Sequence, residues 1–351
     1  MKQQHRLEPA FIGEDSAIVF AANDSFCPYL SVMLYSVIEH SSPDRYYDIV
    51  ILHRDISQAR MERMEKLADG KANVIIRFFC VADRIAGHDL FIGGKDNFTI
   101  DTYLRLLIPW TLSDRYKKAL YLDGDMLALD DVAPLLDTEL GGFLLASSRD
   151  YCGLEEYYRP DSYRKTYRDT ELKLSAPDDY FLNGMLLLNL DAFRAEFTEK
   201  GLLKLCASRP WLQHDQDVLN LLCSGGRAKL LHGQWDVMLP GDLTRIPAGI
   251  QEEIRQASEH PKILHFGGDE KPWLNEKNLW LETFWDVAPK TPFYHEIVRH
   301  ILRQSRYSAK DWILQEYCEG RIGFRYILRY TGGWLHYKLS RIGKKHIGRR
   351  M

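Results

Sequence analysis

The stretch LYLDGD, residues 120–125, is an apolar run that ends in two carboxylates. Residues i and i+2 of an extended chain project from the same face, so Asp123 and Asp125 are predicted to point at one spot beyond a buried strand. Gly124 between them lets the backbone turn and a ligand approach closely. Because two converging carboxylates repel each other, we expect a divalent metal ion between them, and a phosphate group bound to that ion.

Strands and helices alternate on both sides of this stretch. The predicted strands are residues 17–22, 49–52, 74–79, 143–146, 185–190 and 262–265. The predicted helices are residues 28–40, a Ser57-capped segment that ends near 67, and a segment at about 217–223. Such alternation is typical of a doubly wound parallel sheet, in which ligands bind at the carboxyl ends of the strands. Segment 150–180, rich in Tyr, Asp and Arg, is predicted to be a long surface insertion or lid.

The composition predicts a soluble globular protein. Of the 351 residues, 45% are hydrophobic and 27% are charged, and no apolar stretch reaches the roughly 20 residues that span a bilayer. Charged residues interrupt the N-terminus before Ser16, so no signal peptide is predicted. The six cysteines are scattered singly, which indicates free thiols in a reducing compartment. We therefore expect a cytoplasmic protein.

Positive charge is concentrated at the C-terminus. Nine of the 46 Lys and Arg residues lie in segment 321–351, which has no Asp or Glu, so the rest of the chain carries 37 basic against 49 acidic residues. Aromatic residues alternate with these cations, which favours peripheral attachment to an anionic membrane at the inner face of the plasma membrane. The alternative is a solvated basic helix. No nucleic-acid partner is predicted, because nothing else in the chain reads bases.

His265 lies at the end of the last predicted strand and precedes a glycine pair, Gly267 and Gly268. An imidazole at a strand end can complete a metal site begun by two carboxylates, and a mixed oxygen and nitrogen set suits Mn²⁺ or Mg²⁺ better than a closed zinc site. The glycine N–H groups and the Lys271 ammonium suit a phosphate. A glycine turn with a surface histidine is the alternative, but the nearby acidic pair favours the metal site.

Four further polar residues lie in or beside apolar segments, namely Arg105, Asn183, Asp215 and Gln216. Buried amides and charges need partners, which a pocket for a polyhydroxylated ligand supplies. Simpler explanations are a salt bridge from Arg105 to a carboxylate such as Asp101, and a helix cap for Asp215. For Asp215 the two roles are compatible.

Seven ordered blocks between about Ile18 and Pro292 resemble the retaining glycosyltransferases of family 8, the group of the bacterial lipooligosaccharide galactosyltransferases and of glycogenin. The blocks are IVFAAND (18–24), TYLRLLIP (102–109), LYLDGDML (120–127), FLNGMLLLNL (181–190), HDQDVLN (214–220), LHFGGDEKPW (264–273) and TPFY (291–294). One acidic motif arises easily by chance, whereas seven blocks in order are specific.

The resemblance implies an α/β fold of GT-A type, with a Rossmann-like mixed sheet flanked by helices, over residues 1–275. The helical, aromatic pattern beyond Trp273 and the basic charge of the tail predict a helical, basic C-terminal extension over 276–351. It implies transfer of a hexose, glucose or galactose, from a UDP-sugar to a saccharide or glycolipid acceptor. The implied process is cell-surface polysaccharide or lipopolysaccharide synthesis, and the implied cofactor is Mn²⁺, with Mg²⁺ as the alternative.

The resemblance also assigns site residues. The implied metal ligands are Asp123, Asp125 and His265. The implied nucleotide contacts are Ala21, Asn23, Gly124, Gly268 and Lys271, and the implied donor-sugar contacts are Arg105, Asp123, Asn183, Asp215 and Gln216. The chain departs from the family at Asn23, where some relatives have Asp, and at Ser25, where close relatives have Asn. The contacts made at those two positions are therefore not carried over unchanged.

Retention of configuration requires either a protein nucleophile on the back face of the sugar or front-face attack by the acceptor. Asp215 and Gln216 are the candidate catalytic groups on the back face. Neither looks like an activated nucleophile in the sequence, so front-face substitution is favoured, with a leaving phosphate oxygen accepting the acceptor's proton.

Three other functions fit the sequence less well. A DxD phosphohydrolase of the haloacid-dehalogenase type would have Thr or Val at the position of Leu127, and would carry its acidic motif on the first strand. A sugar nucleotidyltransferase would need a Gly-rich, basic phosphate loop after the first strand, which is absent here. A non-catalytic sugar-binding module would have no reason to keep the acidic pair, His265 and Lys271 together.

Overall fold

The computed structural model describes residues 6–93, 99–268, 271–275 and 277–304. The chain divides into two compact units, residues 1–294 and 295–351. In the second unit the described residues are helical as far as Gln304. Segment 321–351, with the membrane attachment predicted for it, lies outside the described residues. The predicted domain boundary between residues 275 and 276 stays a prediction.

Nine strands and twelve α-helices are assigned in the described residues. The strands are β1 (Ser16–Ala22), β2 (Tyr47–His53), β3 (Val74–Cys80), β4 (Lys118–Leu122), β5 (Met126–Ala128), β6 (Leu145–Ser148), β7 (Met185–Asn189), β8 (Ala228–Leu231) and β9 (Ile263–His265). The helices are α1 (Cys27–Glu39), α2 (Gln58–Glu65), α3 (Ala82–Ile85), α4 (Ile108–Thr111), α5 (Tyr151–Tyr157), α6 (Tyr163–Thr166), α7 (Leu190–Glu196), α8 (Glu199–Cys206), α9 (His214–Leu222), α10 (Ala248–Glu259), α11 (Leu281–Val287) and α12 (Tyr294–Gln304). A π-helix spans Tyr167–Leu172. Short 3-10 helices span Asp24–Phe26, Lys66–Ala68, Ile100–Leu107, Ala133–Leu135, Pro177–Asp179, Gly233–Trp235 and Ala288–Lys290.

A seven-stranded sheet in the order β3-β2-β1-β4-β7-β6-β8 forms the centre of the first unit. Strands β3, β2, β1 and β4 are parallel, whereas β7 runs antiparallel to both β4 and β6. Alternate residues of β1 join two different apolar clusters, Ala17 and Val19 in one and Ile18 and Phe20 in the other. Both faces of the sheet are therefore covered, which explains its continuous apolar strands. The predicted mixed sheet flanked by helices is confirmed.

A second, two-stranded sheet connects the LYLDGD stretch to His265. β5 begins directly after Asp125 and pairs antiparallel with β9, so that Met126 lies opposite His265. A three-residue pair is too short to be stable alone. It is supported by α1, where the buried Ser36 hydroxyl accepts a hydrogen bond from the Ala128 N–H at 2.9 Å.

Three expectations from the sequence are wrong. Segment 150–180 is not a surface insertion throughout, because α5 and the π-helix pack into the core while residues 159–161 are exposed. Its buried residues include Tyr151, Leu154, Tyr157, Tyr167 and Tyr180. The strand predicted at 143–146 lies two residues later, at β6. Ser57 precedes α2 but makes no side-chain cap, because its hydroxyl donates to Asp24 instead.

None of the helices in the described part of the chain has the length and hydrophobicity that a membrane-spanning segment requires.

The support that α1 gives to β5 leads to a prediction about stability. Ser36→Ala should lower the free energy of unfolding by about 1–3 kcal/mol, because it leaves the buried Ala128 N–H without an acceptor. Ser31→Ala is the matched control, since Ser31 is buried on the same helix and, among the described residues, its hydroxyl bonds only the Pro28 carbonyl. Urea denaturation should show a clearly smaller loss for Ser31→Ala, and equal losses would contradict this account of β5.

Candidate active site

Backbone hydrogen bonds hold Asp123 and Asp125 from two sides. The Asp123 N–H donates to the Gly184 carbonyl at 2.8 Å, just before β7. The Asp125 carbonyl accepts from the Phe266 N–H at 2.9 Å, just after β9. β4 ends one residue before Asp123 and β5 begins one residue after Asp125. The two carboxylates therefore lie in the short link between the two sheets, beyond the end of a buried strand.

Asp123, Asp125 and His265 each place one ligand atom within 4.8 Å of the other two. His265 Nδ1 lies 2.8 Å from the carboxylate of Asp236, which is fully buried. Because a carboxylate only accepts hydrogen bonds, Nδ1 carries the proton and Nε2 is left for a metal. Nε2 is 3.7 Å from Asp125 Oδ1. Two carboxylates and one imidazole are a donor set that fits Mn²⁺ or Mg²⁺.

The three side chains differ in how readily they ionise. Burial raises the pKa of Asp123. Burial also acts to raise the pKa of Asp125, but Lys271 and His265 outweigh it and the pKa is lowered. Burial alone would lower the pKa of His265, whereas Asp236 and the acidic pair raise it to about 9. At neutral pH without a metal, His265 therefore carries a second proton, which a metal ion must displace.

Lys271 contacts the second carboxylate of the pair. Its ammonium group pairs with Asp125 and also donates to the Phe266 carbonyl, and its side chain is 11% exposed. Two residues further on, Trp273 stacks on Tyr29 of α1 with ring centroids 4.1 Å apart, which anchors the turn that carries Lys271. An ammonium group beside a candidate metal ligand is a suitable partner for a phosphate.

Arg105 links the Asp123 and Asp125 pair to a second polar cluster. Its guanidinium group pairs with Asp123 at 3.1 Å and with Asp215 at 2.9 Å. The group is buried and lies over the Tyr121 ring, 4.5 Å from its centroid. The suggested salt bridge to Asp101 is wrong, because Asp101 pairs with a different arginine. A cation on an apolar 3-10 helix is thus explained by two carboxylates from other elements.

Asp215 is the centre of that second cluster. Its carboxylate accepts hydrogen bonds from Thr102 Oγ1 at 2.9 Å and Asn183 Nδ2 at 2.7 Å, besides its ion pair with Arg105. The suggested cap for Asp215 is wrong, since Gln213 occupies the cap position of α9 and the Asp215 side chain points to other elements. Asn183, Arg105 and Asp215, which the resemblance assigns to the donor sugar, therefore form one network.

The remaining predicted residues lie around this centre. Gln216 follows Asp215 on α9 and is buried. Ala21 and Asn23 lie at the carboxyl end of β1, the strand beside β4. The Asn23 side chain caps the next 3-10 helix by accepting from the Phe26 N–H, and it donates to Asp101 at 2.9 Å. Gly124 is buried, and Gly268 is exposed in the left-handed region with φ +58°. The nucleotide and sugar contacts assigned to these residues stay predictions.

Sequence reasoning missed three residues at the site. Tyr121 donates its hydroxyl to Asp123 at 2.6 Å, and the i, i+2 alternation of the strand could have indicated it. Asp236 follows a 3-10 turn with no pattern that marks it. At Gly184 a Cβ would lie 2.5 Å from His265 Cε1 and 3.2 Å from Asp123 Oδ2, so close packing requires glycine.

The packing of Gly184 predicts an effect on metal binding. The methyl group of Gly184→Ala should displace the His265 ring and lower Mn²⁺ affinity about 10- to 100-fold, as loss of a ligand's support usually does. Isothermal titration calorimetry with Mn²⁺ measures this. Gly142→Ala is the control, because in the described part of the chain nothing lies within 4 Å of a Cβ added at that exposed glycine. Unchanged Mn²⁺ affinity in Gly184→Ala would exclude His265 as a ligand held by this packing.

Comparison with known proteins finds several relatives. General stress protein A of Bacillus subtilis is 24% identical over 284 residues, which cover 78% of this chain and 93% of that protein. Lipopolysaccharide 1,3-galactosyltransferase of Salmonella typhimurium is 22% identical over 288 residues, which cover 77% of each chain. Other similar proteins are longer: this chain spans 34% of glycosyltransferase GlyA of Streptococcus pneumoniae and 53% of the bifunctional glycosyltransferase WbbM.

Among solved structures, the galactosyltransferase LgtC in complex with donor and acceptor sugar analogs is similar to this chain. The two are 27% identical with a TM-score of 0.65, and the match covers 79% of this chain and 96% of LgtC. The likeness confirms the predicted GT-A fold. The family model for glycosyl transferase family 8 matches residues 17–277. Because that match extends over most of the sequence and includes every residue of the candidate site, the chain belongs to glycosyl transferase family 8.

Proposed function

We propose that this chain transfers a hexose, glucose or galactose, from a UDP-sugar to a saccharide or glycolipid acceptor with retention of configuration. The observation that carries the proposal is the meeting of Asp123, Asp125 and His265 within 4.8 Å, beside the Lys271 ammonium. That arrangement matches the charges of a divalent metal and a diphosphate. The Salmonella relative named as a lipopolysaccharide galactosyltransferase supports a hexose donor and a cell-surface saccharide product.

The polar residues would bind the donor at two ends of the site, the diphosphate at one end and the sugar at the other. Asp123, Asp125 and His265 would hold Mn²⁺, or alternatively Mg²⁺, which when bound supplies a Lewis acid to the leaving diphosphate. Lys271 adds a fixed positive charge at the same end, where negative charge develops as the sugar leaves. Arg105 holds Asp123 and Asp215 in fixed positions. The Asn183 and Asp215 cluster would then face the sugar.

The hydrogen bonds of Asp215 support front-face substitution. Its carboxylate is 1% exposed, accepts hydrogen bonds from two side chains and pairs with Arg105, so attack on a sugar carbon would require it to lose these partners. In the proposed step the acceptor oxygen bonds to the anomeric carbon while the bond from that carbon to the diphosphate breaks. The acceptor's proton passes to the leaving phosphate oxygen, and UDP is released.

Donor turnover tests the proposal. With Mn²⁺ present, the purified chain should release UDP from UDP-glucose or UDP-galactose, and EDTA should abolish the release. Asp125→Asn should lower kcat about 10²- to 10³-fold, because it removes charge that holds the metal and orients Lys271. Coupled detection of UDP, with phosphate measured in parallel, checks both points.

Asp44→Asn is the control for that experiment, because Asp44 is exposed in the turn between α1 and β2. Its kcat should equal that of the unaltered chain. Release of inorganic phosphate in place of UDP would indicate a phosphohydrolase. Binding of a UDP-sugar without any turnover, unaffected by EDTA, would indicate a non-catalytic sugar-binding module.

We also propose that segment 321–351 attaches the enzyme to the inner face of the plasma membrane, where a glycolipid acceptor would lie. The support is its composition, nine Lys and Arg residues without an acidic residue, among aromatic side chains. Each basic residue near an anionic surface contributes about 1 kcal/mol of attraction, so nine are ample for peripheral binding.

Removal of residues 321–351 tests the attachment. The truncated chain should lose sedimentation with phosphatidylserine-containing liposomes but keep its turnover of donor with a soluble acceptor. A full-length variant with Arg321, Arg325 and Arg329 changed to Gln should bind these liposomes more weakly than the unaltered chain. Undiminished liposome binding by the truncated chain would contradict the role of the segment.

A further inference from the structure

The Gln216 side chain is hydrogen-bonded to a residue outside the cluster of Asp123, Asp125 and His265. Its Nε2 donates to Asp150 Oδ2 at 3.1 Å, and both side chains are buried, with Gln216 8% and Asp150 3% exposed. The other oxygen of Asp150 accepts the Gly153 N–H at 2.7 Å and so caps α5. Both oxygens of the carboxylate are used, and the helix that it caps fixes its position.

This hydrogen bond decides which way the Gln216 amide faces. A carboxylate accepts hydrogen bonds but does not donate them, so only the amide NH₂ can face Asp150. The amide oxygen, Oε1, must therefore face away from Asp150. None of the residues that the structure describes donates a hydrogen bond to this oxygen. The oxygen is available to a ligand while the nitrogen is committed.

Arg168 closes the other side of Asp150. Its Nη2 lies 3.5 Å from Asp150 Oδ2, and its guanidinium group is buried over the Tyr180 ring, 3.7 Å from the centroid. A Cβ at Gly153 would collide with the Asp150 carboxylate and lie 2.5 Å from Arg168 Nη2. The arginine and the Gly153 backbone thus fill the space on this side of the carboxylate, and no residue larger than glycine fits at position 153.

Packing alone does not account for an arginine at position 168. Its Nη1 is buried with no hydrogen-bond partner among the described residues, and such an atom lowers stability. Arg168 lies on the π-helix, and irregular turns of this kind are frequent at functional sites. Its positive charge balances the buried Asp150 and so allows a carboxylate, which accepts only, to face Gln216.

We propose that Asp150 and Arg168 are positioning residues that hold the Gln216 amide with its oxygen towards the donor sugar. The inference rests on the proposed function, since it places Gln216 against that sugar. An amide oxygen in this orientation accepts a hydrogen bond from a sugar hydroxyl and sets a partial negative charge near the anomeric carbon, where positive charge develops. Asp150 and Arg168 act through Gln216 and do not touch the sugar.

A double-mutant cycle on donor turnover tests the inference. Asp150→Asn keeps the cap of α5, but its amide both donates and accepts, so it no longer holds Gln216 in one orientation. We expect kcat to fall about 10- to 100-fold, the size of effect that misplaced groups produce. In a Gln216→Met background the same change should have no further effect, because the amide that Asp150 orients is gone.

Asp169→Asn is the matched control. Asp169 lies next to Arg168 on the π-helix. Its exposed carboxylate accepts hydrogen bonds from Tyr157 and Lys165 but not from Gln216. Its variant should keep the kcat of the unaltered chain. Thermal unfolding of all variants separates loss of fold from loss of orientation. If the losses of kcat caused by Asp150→Asn and by Gln216→Met multiply in the double variant, the inference is overturned. Asp150 would then act independently of Gln216.

Equilibrium binding gives a second readout that needs no turnover. Asp150→Asn should weaken the binding of the UDP-hexose that the unaltered chain turns over, and leave the binding of UDP unchanged, because Gln216 is placed at the sugar alone. An equal loss for both ligands would overturn the inference. Absence of turnover of every UDP-hexose by the unaltered chain would instead contradict the proposed function, since that result does not involve Asp150.

Discussion

The repulsion between Asp123 and Asp125 is the constraint on which the rest of the site depends. Each carboxylate has its own cation, Arg105 at the first and Lys271 at the second, and His265 lies close to both. With His265 neutral, the negative charges of the cluster are those of Asp123, Asp125, Asp215 and Asp236, and the positive charges are those of Arg105 and Lys271. The deficit of two positive charges is the charge of one divalent cation, and the protonated His265 compensates part of it when no metal is bound.

Two strand pairings from distant parts of the sequence place these charges. Pairing of β4 with β7 sets Asp123 beside Gly184, and pairing of β5 with β9 sets Asp125 beside His265. Asp123, Asp125 and His265 are therefore held by strand pairing and backbone hydrogen bonds rather than by free loops, which fixes their positions without support from a bound metal. The close approach of Gly184 to His265 follows from the same arrangement, because both pairings end at one point.

Sequence patterns predicted the parts of this arrangement that depend on local order. The apolar strands, the i, i+2 carboxylates and the histidine at a strand end are all local signals, and the structure brings Asp123, Asp125 and His265 together. The partners of buried charges are not local. Arg105 pairs with carboxylates 18 and 110 residues away along the chain rather than with the nearby Asp101. Segment 150–180 looked like a surface insertion because it is rich in Tyr, Asp and Arg, yet the hydroxyls of Tyr167 and Tyr180 bond inward to the buried Asp217.

The inward hydroxyls also bear on how the proposed reaction retains configuration. Tyr167 and Tyr180 donate to Asp217 at 2.8 and 2.6 Å, and the Gln213 N–H donates to it at 2.8 Å. Asp217 therefore has as many partners as Asp215. Either carboxylate of this turn of α9 would have to give up a partner before one of its lone pairs could attack a sugar carbon. Desolvated carboxylates held by several donors are weak nucleophiles, because attack removes the charge that those donors stabilise. In the proposed arrangement the amide oxygen of Gln216 faces the sugar from this turn. An amide oxygen stabilises positive charge more readily than it forms a glycosyl bond, which favours attack by the acceptor from the front face.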